Sequence, residues 1–251
     1  MLIYVFIAAL AVYLISIIIP FTYKFKSRKA LANGDFVNAR LYYKKALKCS
    51  KYNFKTQIEY VYIIMRTGDF EEALNAMNRL LSYKMEPKNR NLATIQRCMC
   101  YYKTGNLEEA YKDAQELYDD GYRSIMLYGL LGYFKILKAP LADETFEFCT
   151  EAYEYADDDR DICDNLLICY YNRGEYNKAK EISDAVLEKE PMFVEAWYHG
   201  AQIDIALGDY KSAREKLDRI PDCNRSPMTT IPEKDVEKLS KTVDEKLKEN
   251  N

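Results

Sequence analysis

The sequence predicts an all-α protein: a right-handed superhelical solenoid of about six two-helix units, preceded by a single transmembrane helix. Two observations lead to this prediction. Residues 1–23 carry no charged side chain, and one six-residue phrase occurs five times. The phrase is a glycine, a polar residue, an aromatic residue or leucine, two variable positions and an alanine. Its glycines lie 34, 37, 69 and 34 residues apart, and a period of about 34 residues is typical of stacked helix pairs.

The first element is the apolar segment 1–21, predicted to be a transmembrane anchor. About 20 apolar residues at 1.5 Å per residue cross roughly 30 Å of hydrocarbon. Tyr4, Phe21 and Tyr23 suit the two interfaces of a bilayer. A cleaved signal peptide would need a basic start and a small-residue cleavage site, and neither is evident. A buried core helix would normally show a polar face, which this segment lacks.

Basic residues follow the apolar segment and predict its topology. The positive-inside bias places the N-terminus outside and the rest of the chain in the cytoplasm. Residues 22–56 hold ten Lys or Arg and one Asp, whereas residues 106–164 hold five basic and sixteen acidic residues. We expect the basic stretch to be drawn to anionic lipid head groups. The basic residues expected at the membrane surface are Lys24, Lys26, Arg28 and Lys29.

The next elements are the two-helix units, at about 22–53, 54–90, 91–121, 122–158, 160–193 and 194–221. Glycine is expected to end each first helix because it tolerates the left-handed conformation. The polar residue after it can accept hydrogen bonds from the N–H groups that open the second helix. The alanine suits a close helix crossing. The signature positions are Gly34 and Ala39, Gly68 and Ala73, Gly105 and Ala110, Gly174 and Ala179, and Gly208 and Ala213.

Each unit resembles a tetratricopeptide repeat. The best unit contains Trp197, Gly200, Ala201, Gly208 and Ala213 at family-like spacing. The double gap between Gly105 and Gly174 implies a degenerate fourth unit, with helices at about 122–138 and 141–155 and no signature glycine or alanine. The resemblance covers roughly residues 22–221 and implies a surface that binds proteins.

The final elements are a linker, 222–231, and a C-terminal helix, 232–251. Val236, Leu239, Val243 and Leu247 form one narrow apolar stripe among Lys and Glu residues. A solenoid needs a polar outer cap, so we expect this helix to cap the last unit. A short coiled-coil seam is the alternative.

In tetratricopeptide repeats the first helices line the inner surface, and the resemblance therefore implies a groove for a peptide or protein partner. Aromatic and methionine side chains recur there, which suits an extended or helical peptide. The acidic middle of the chain suits a partner with basic residues. The groove residues are expected to be Ile58, Tyr62, Met65, Ile95, Met99, Tyr102, Tyr133, Ile168, Tyr171, Tyr198 and Ile205.

The sequence contains little that could support catalysis. It has one histidine, His199, which we interpret as a helix-surface residue, and no glycine-rich phosphate loop. Cys98 and Cys100, two residues apart on a helix, point to different sides. The seven cysteines are odd in number and irregular in spacing, which suits a reducing compartment rather than a disulfide framework. We therefore predict no catalytic residue, metal, cofactor, small-molecule substrate or nucleic-acid partner.

These features together predict a non-catalytic, membrane-anchored scaffold that holds a protein partner at the membrane surface. One alternative is an accessory subunit of a larger membrane complex, assembled through the transmembrane helix. Another is an exported repeat protein, released after cleavage of a signal peptide.

Overall fold

The computed structural model describes residues 2–49 and 54–249. Within these ranges every regular element of secondary structure is a helix, which confirms the predicted all-α class. The helices are α1 (Leu2–Ala32), α2 (Phe36–Cys49), α3 (Phe54–Arg66), α4 (Phe70–Leu81), α5 (Pro87–Lys103), α6 (Leu107–Asp119), α7 (Ile125–Lys138), α8 (Asp143–Tyr155), α9 (Arg160–Asn172), α10 (Tyr176–Leu187), α11 (Val194–Ala206), α12 (Tyr210–Leu217) and α13 (Glu233–Glu249), with a 3-10 turn at Ile220–Asp222.

The chain divides into two compact bodies, Met1–Asn106 and Leu107–Asn251. In each body every helix packs against the next one in sequence. The first helices of neighbouring pairs also touch: α3 contacts α5, α7 contacts α9 and α9 contacts α11. Contacts are therefore local, as expected for stacked repeats. The boundary falls between the two helices of the third predicted unit, a division that the repeat pattern does not predict.

Helix α1 combines the predicted anchor and the first helix of the first unit in one continuous element, with Pro20 inside it. It is the one helix of the described chain that is long and apolar enough to cross a membrane. Its large apolar side chains from Ile3 to Ile19 are all 40% exposed or more. Helix α2 packs against α1, and Pro20 and Ser27 are buried. The apolar part of α1 therefore lies outside the core of the first body.

The five signature turns share one backbone geometry. Their glycines have φ between 73° and 84°, in the left-handed region. Each glycine N–H donates to the carbonyl three residues back, and the next N–H donates to the carbonyl five residues back, which is a Schellman motif. The polar residue after glycine accepts from a helix N–H with its side chain only at Asp35 and Asp209. The predicted side-chain cap is therefore the less regular part of the turn.

The signature alanines Ala39, Ala73, Ala110, Ala179 and Ala213 are all fully buried. The expected close helix crossings account for this burial, because a larger side chain would force the two helices apart.

The turn of the fourth unit lacks the signature glycine and alanine. Its first helix begins at Ile125, after Ser124 caps the N–H of Leu127, and it ends at Lys138 as expected. Thr145 is 3% exposed, and its hydroxyl donates to the Ala139 carbonyl at 2.9 Å. This bond satisfies a carbonyl at the helix end, a role that the glycine turn fills elsewhere. A small buried hydroxyl residue thus replaces the glycine and alanine pair.

The C-terminal helix α13 packs against the last unit. Val243 is fully buried in a cluster with Trp197, Ala213 and Leu217, and Val236, Leu239 and Leu247 lie against the same cluster. The predicted apolar stripe therefore faces the unit before it, as a capping helix requires.

Helices α7 and α9 approach each other closely at two glycines. A Cβ on Gly132 would lie 2.8 Å from the Asn165 amide nitrogen, whereas a Cβ on Gly129 would lie 3.3 Å from the Asp161 Cβ. Asn165 is 4% exposed and donates to the Gly129 carbonyl at 2.8 Å. Gly132 therefore makes room for a buried side chain–backbone hydrogen bond.

We expect Gly132→Ala to destabilise the second body by displacing the Asn165 amide. Gly129→Ala is the matched control, because both changes gain the same helix propensity. The free energy of unfolding of the Gly132→Ala variant should be about 1–2 kcal/mol lower than that of the control, because a buried hydrogen bond is disturbed. Urea unfolding followed by circular dichroism measures both. Equal stability of the two variants would contradict this account of the helix contact.

Candidate partner-binding surface

The predicted groove residues of the first body lie on α3 and α5, and they are of two kinds. Tyr62 is 50% exposed, and Ile58, Met99 and Tyr102 are half-buried. Met65 and Ile95 lie in the core instead, at 7% and 1% exposed. A first helix packs against its own partner and against the next first helix, so part of its apolar face is covered by protein. The structure thus removes Met65 and Ile95 from the accessible surface.

Charged groups at this surface already have partners within the first body. The Glu59 carboxylate pairs with Arg28 at 2.8 Å and accepts a hydrogen bond from the Tyr43 hydroxyl. The Lys103 ammonium lies 5.7 Å from the Tyr102 ring centroid, within the range of a cation–π contact. The first-body surface therefore presents aromatic and methionine side chains, next to charged groups that already have partners.

In the second body, Tyr133, Ile168 and Tyr171 lie on α7 and α9 and are half-buried. The Tyr171 ring centroid is 5.5 Å from that of Tyr176. Burial raises the pKa of the Tyr171 hydroxyl, so this group stays neutral and can both donate and accept. Ile168 packs against a buried cluster that includes Leu167 and Ala179, so part of its side chain serves the core.

Tyr198 and Ile205 on α11 belong mainly to the C-terminal packing. Both lie against the cluster that contains Val243 of α13. The linker also crosses this end of the surface, because the N–H and hydroxyl of Thr230 donate to Glu195 at 2.6 and 3.0 Å. The chain's own C-terminal segment therefore covers the last part of the predicted groove.

The histidine is not the surface residue that the sequence suggests. His199 Nδ1 lies 2.7 Å from the Asp164 carboxylate, and their side chains are only 12% and 18% exposed. Burial acts to lower the pKa of His199, but the charges of Asp164 and Glu195 and the hydrogen bond to Asp164 outweigh it and raise that pKa. The two residues are 35 positions apart, about one repeat period, so they occupy equivalent positions in successive first helices. This spacing is the sequence signal that could have revealed the pair.

The predicted membrane-surface residues occupy different environments. Arg28 is committed to Glu59 on α3. The Lys26 ammonium lies 5.9 Å from the Tyr42 ring centroid, and Lys29 is exposed. Lys24, the first of the four, is half-buried. Three of these cations remain available at the surface, and Arg28 mainly joins two helices.

Comparisons with known proteins identify the fold. Residues 170–226 match the model of the tetratricopeptide repeat family. No curated protein sequence matches the chain. Three solved structures are similar at low sequence identity. A tetratricopeptide repeat protein from Parabacteroides merdae has a TM-score of 0.61 at 15% identity, over 89% of this chain and 98% of that one. The thermophilic protein TTC0263 from Thermus thermophilus has a TM-score of 0.60 at 14% identity, over 76% and 98%.

The third similar structure is the Cut9–Hcn1 hetero-tetramer of APC/C, with a TM-score of 0.71 at 15% identity, over 92% of this chain and 45% of that one. At this level of identity the likeness shows the fold. The chain therefore has the helical repeat fold of tetratricopeptide proteins, and residues 170–226 also match the sequence pattern of that family.

The buried pair predicts a pH dependence of stability. Because the folded pKa of His199 is raised above 6.5, the pair stabilises the fold fully below pH 6.5, and this contribution is lost as pH rises through the raised value. His199→Gln should therefore lower the free energy of unfolding most below pH 6.5, and progressively less as the pH rises through the raised pKa of His199. Chemical unfolding of the full chain in micelles across this range measures the difference, with Asp164→Asn as a second variant. A cost that does not change with pH would contradict the role of the charged pair.

Proposed function

We propose that this protein is a single-pass membrane scaffold without catalytic activity, which holds a protein or peptide partner at a membrane surface. The apolar part of α1 spans the bilayer with its N-terminus outside, and the repeats stand in the cytoplasm. The observation that carries the proposal is the continuity of one helix from an exposed apolar segment into the first repeat.

Exposure supports the membrane-spanning role of α1. A core helix of a soluble protein buries its apolar side chains, but those from Ile3 to Ile19 are at least 40% exposed. Exposing this much apolar surface to water costs about 25 cal/mol per Å², and a bilayer removes that cost. The first charged residue, Lys24, then falls at head-group level, and the cations that follow favour a cytoplasmic repeat region.

The partner surface is built from the first helices of the units. Tyr62, Met99 and Tyr102 in the first body and Tyr171 in the second remain at least partly accessible. Large rings with a polar tip are common anchors at protein interfaces. Exposed acidic residues such as Asp158 and Asp161 favour a partner with basic residues. The fold supports this use, since one similar structure is itself part of a hetero-tetramer.

A charge-insertion experiment tests the anchor. Leu10→Arg with Leu14→Arg should move the protein out of the membrane fraction, because each arginine at a helix centre costs about 2.5–3.5 kcal/mol on insertion. Val37→Arg with Leu41→Arg is the matched control, since Leu14 and Leu41 are both 47% exposed but Leu41 lies in α2. Carbonate extraction and flotation measure the outcome. Equal behaviour of the two double variants, or a shortened N-terminus in the mature protein, would overturn the anchor.

Site-specific crosslinking tests the partner surface. A photoreactive residue at Tyr62 or Tyr102 of the first body should capture the same basic protein or peptide in cells, and one at Tyr171 tests the second body by itself. Tyr155 is the control, because it is 51% exposed, close to the 50% of Tyr62, but lies at the end of a second helix. Capture from Tyr155 alone, or different products at Tyr62 and Tyr102, would contradict a partner surface on the first helices.

A further inference from the structure

The antiparallel pairing of α1 and α2 determines which edge of the first body lies beside the apolar segment. The Lys45 ammonium lies 5.8 Å from the Tyr23 ring centroid, and the Lys26 ammonium lies 5.9 Å from the Tyr42 ring centroid. Farther along α1, the Ser27 hydroxyl donates to the Ala39 carbonyl at 2.7 Å. Moving toward the N-terminus of α1 thus means moving toward the C-terminus of α2. By this register, Lys48 is roughly level with Pro20.

Helix α4 runs in the same direction as α2, so its C-terminal end reaches the same edge. Near the start of α4, Arg40 pairs with Asp69 at 2.7 Å and with Glu72. At the other end, Lys48 and Arg79 line one groove. The loop after α4 is held there, because the Arg90 guanidinium donates to the Leu81 and Tyr83 carbonyls at 3.3 Å.

This edge carries a strong excess of positive charge. In the described residues 44–49, 54–56 and 79–90, eight cations face one acid, Glu86. At the opposite edge, the turns 33–38 and 67–71 contain three acids and no cation, and Arg40 pairs with one of them, Asp69. We call the cations the basic edge: Lys44, Lys45, Lys48, Lys55, Arg79, Lys84, Lys88 and Arg90.

The groove that opens at the basic edge has room and charge for a phosphate group. Its volume is about 610 Å³, and Lys44, Lys48 and Arg79 line it. Glu72 lies at its inner end, where it accepts from the Tyr60 hydroxyl at 2.7 Å and pairs with Arg40. Glu72 also lies 3.9 Å from the Lys44 ammonium, so Arg40 and Lys44 already neutralise the acid of the groove, and Lys48 and Arg79 remain for a ligand.

We propose that the basic edge docks on the anionic head groups of the bilayer that α1 spans, with a lipid phosphate in the groove between Lys48 and Arg79. The inference rests on the proposed membrane anchor. Two observations support the inference. The charge of the edge is opposite to that of anionic head groups, and the edge lies level with the end of the apolar segment, where the surface of a leaflet would meet the first body. Each surface cation near anionic lipid adds to the attraction, so several together orient the first body on the membrane.

Fluorescence quenching on the full chain in lipid nanodiscs tests the docking. A dye is placed at Ser82→Cys on the basic edge, at Asn33→Cys on the opposite edge, or at Tyr13→Cys in the apolar segment, with Cys49 and Cys223 changed to Ser. Head-group spin-labelled lipid should quench the dye at 82 more strongly than the dye at 33. The difference should be large in discs containing phosphatidylglycerol and small in pure phosphatidylcholine.

Charge reversal supplies the matched comparison. Lys48→Glu, Arg79→Glu and Lys84→Glu together should reduce quenching at 82 to the phosphatidylcholine level. The control reverses three exposed lysines elsewhere, Lys112, Lys211 and Lys234, and should leave the quenching unchanged. Circular dichroism checks that both triple variants keep their helix content, and neutral Gln replacements give a milder set if the reversals do not.

Several outcomes would overturn the inference. Equal quenching at 82 and 33, no response to phosphatidylglycerol, or an equal effect of the control triple would each exclude specific docking. Single-stranded RNA that binds the edge in phosphatidylcholine discs, and that abolishes the quenching at 82 in discs containing phosphatidylglycerol, would assign the edge to nucleic acid instead. The dye at 13 separates this inference from the anchor: if it stays shielded from aqueous iodide, the anchor stands whatever happens at the edge, and if it is accessible, the proposed function fails.

Discussion

The antiparallel contact between α1 and α2 is the constraint on which the organisation of the first body depends. Because α1 continues from an apolar segment into a repeat helix, whatever surrounds the apolar segment also lies next to the first repeat. The Tyr23–Lys45 and Ser27–Ala39 contacts fix the register of α2 on α1. Every later helix of the body then points either toward or away from the apolar segment. Charge that looks scattered in the sequence becomes sorted into two edges by this pairing.

The repeat architecture was largely predictable because its signals are local. Backbone rather than side-chain chemistry makes the turn: all five signature glycines adopt φ between 73° and 84°, whereas only Asp35 and Asp209 cap with their side chains. A glycine requirement is visible in a single sequence, but a substitute for it is not. Thr145 performs the closing role in the fourth unit through one hydroxyl bond. It stands at the alanine position of the repeat spacing, but the spacing alone does not indicate what its hydroxyl bonds to.

The surface was less predictable than the fold because accessibility depends on neighbours in space. Ile95 and Tyr62 both fall on the apolar pattern of a first helix, yet Ile95 is 1% exposed and Tyr62 is 50% exposed. A helix in a stacked array has two covered faces, and a repeat pattern does not say which apolar residues lie between them. The Asp164–His199 pair shows that the burial of polar residues is equally hard to predict from the repeat pattern. Each residue alone suits an exposed position, and only the contact of α9 with α11 makes them a buried pair.

The sorting of charge has a consequence for the way a scaffold of this kind presents its partner surface. In the first body, the first helices α3 and α5 run between the basic and acidic edges, so the groove residues Tyr62 and Met99 lie between them. If the basic edge rests on lipid, electrostatic attraction acts over about 10 Å or less at physiological salt, and the acidic edge is held away from the membrane. The tyrosines then face along the membrane surface rather than into it. A single transmembrane helix without the basic edge would leave the first body free to rotate and tilt, whereas the basic edge restricts this motion. Because less orientational freedom is then left to lose, the entropy cost of binding a partner is lower.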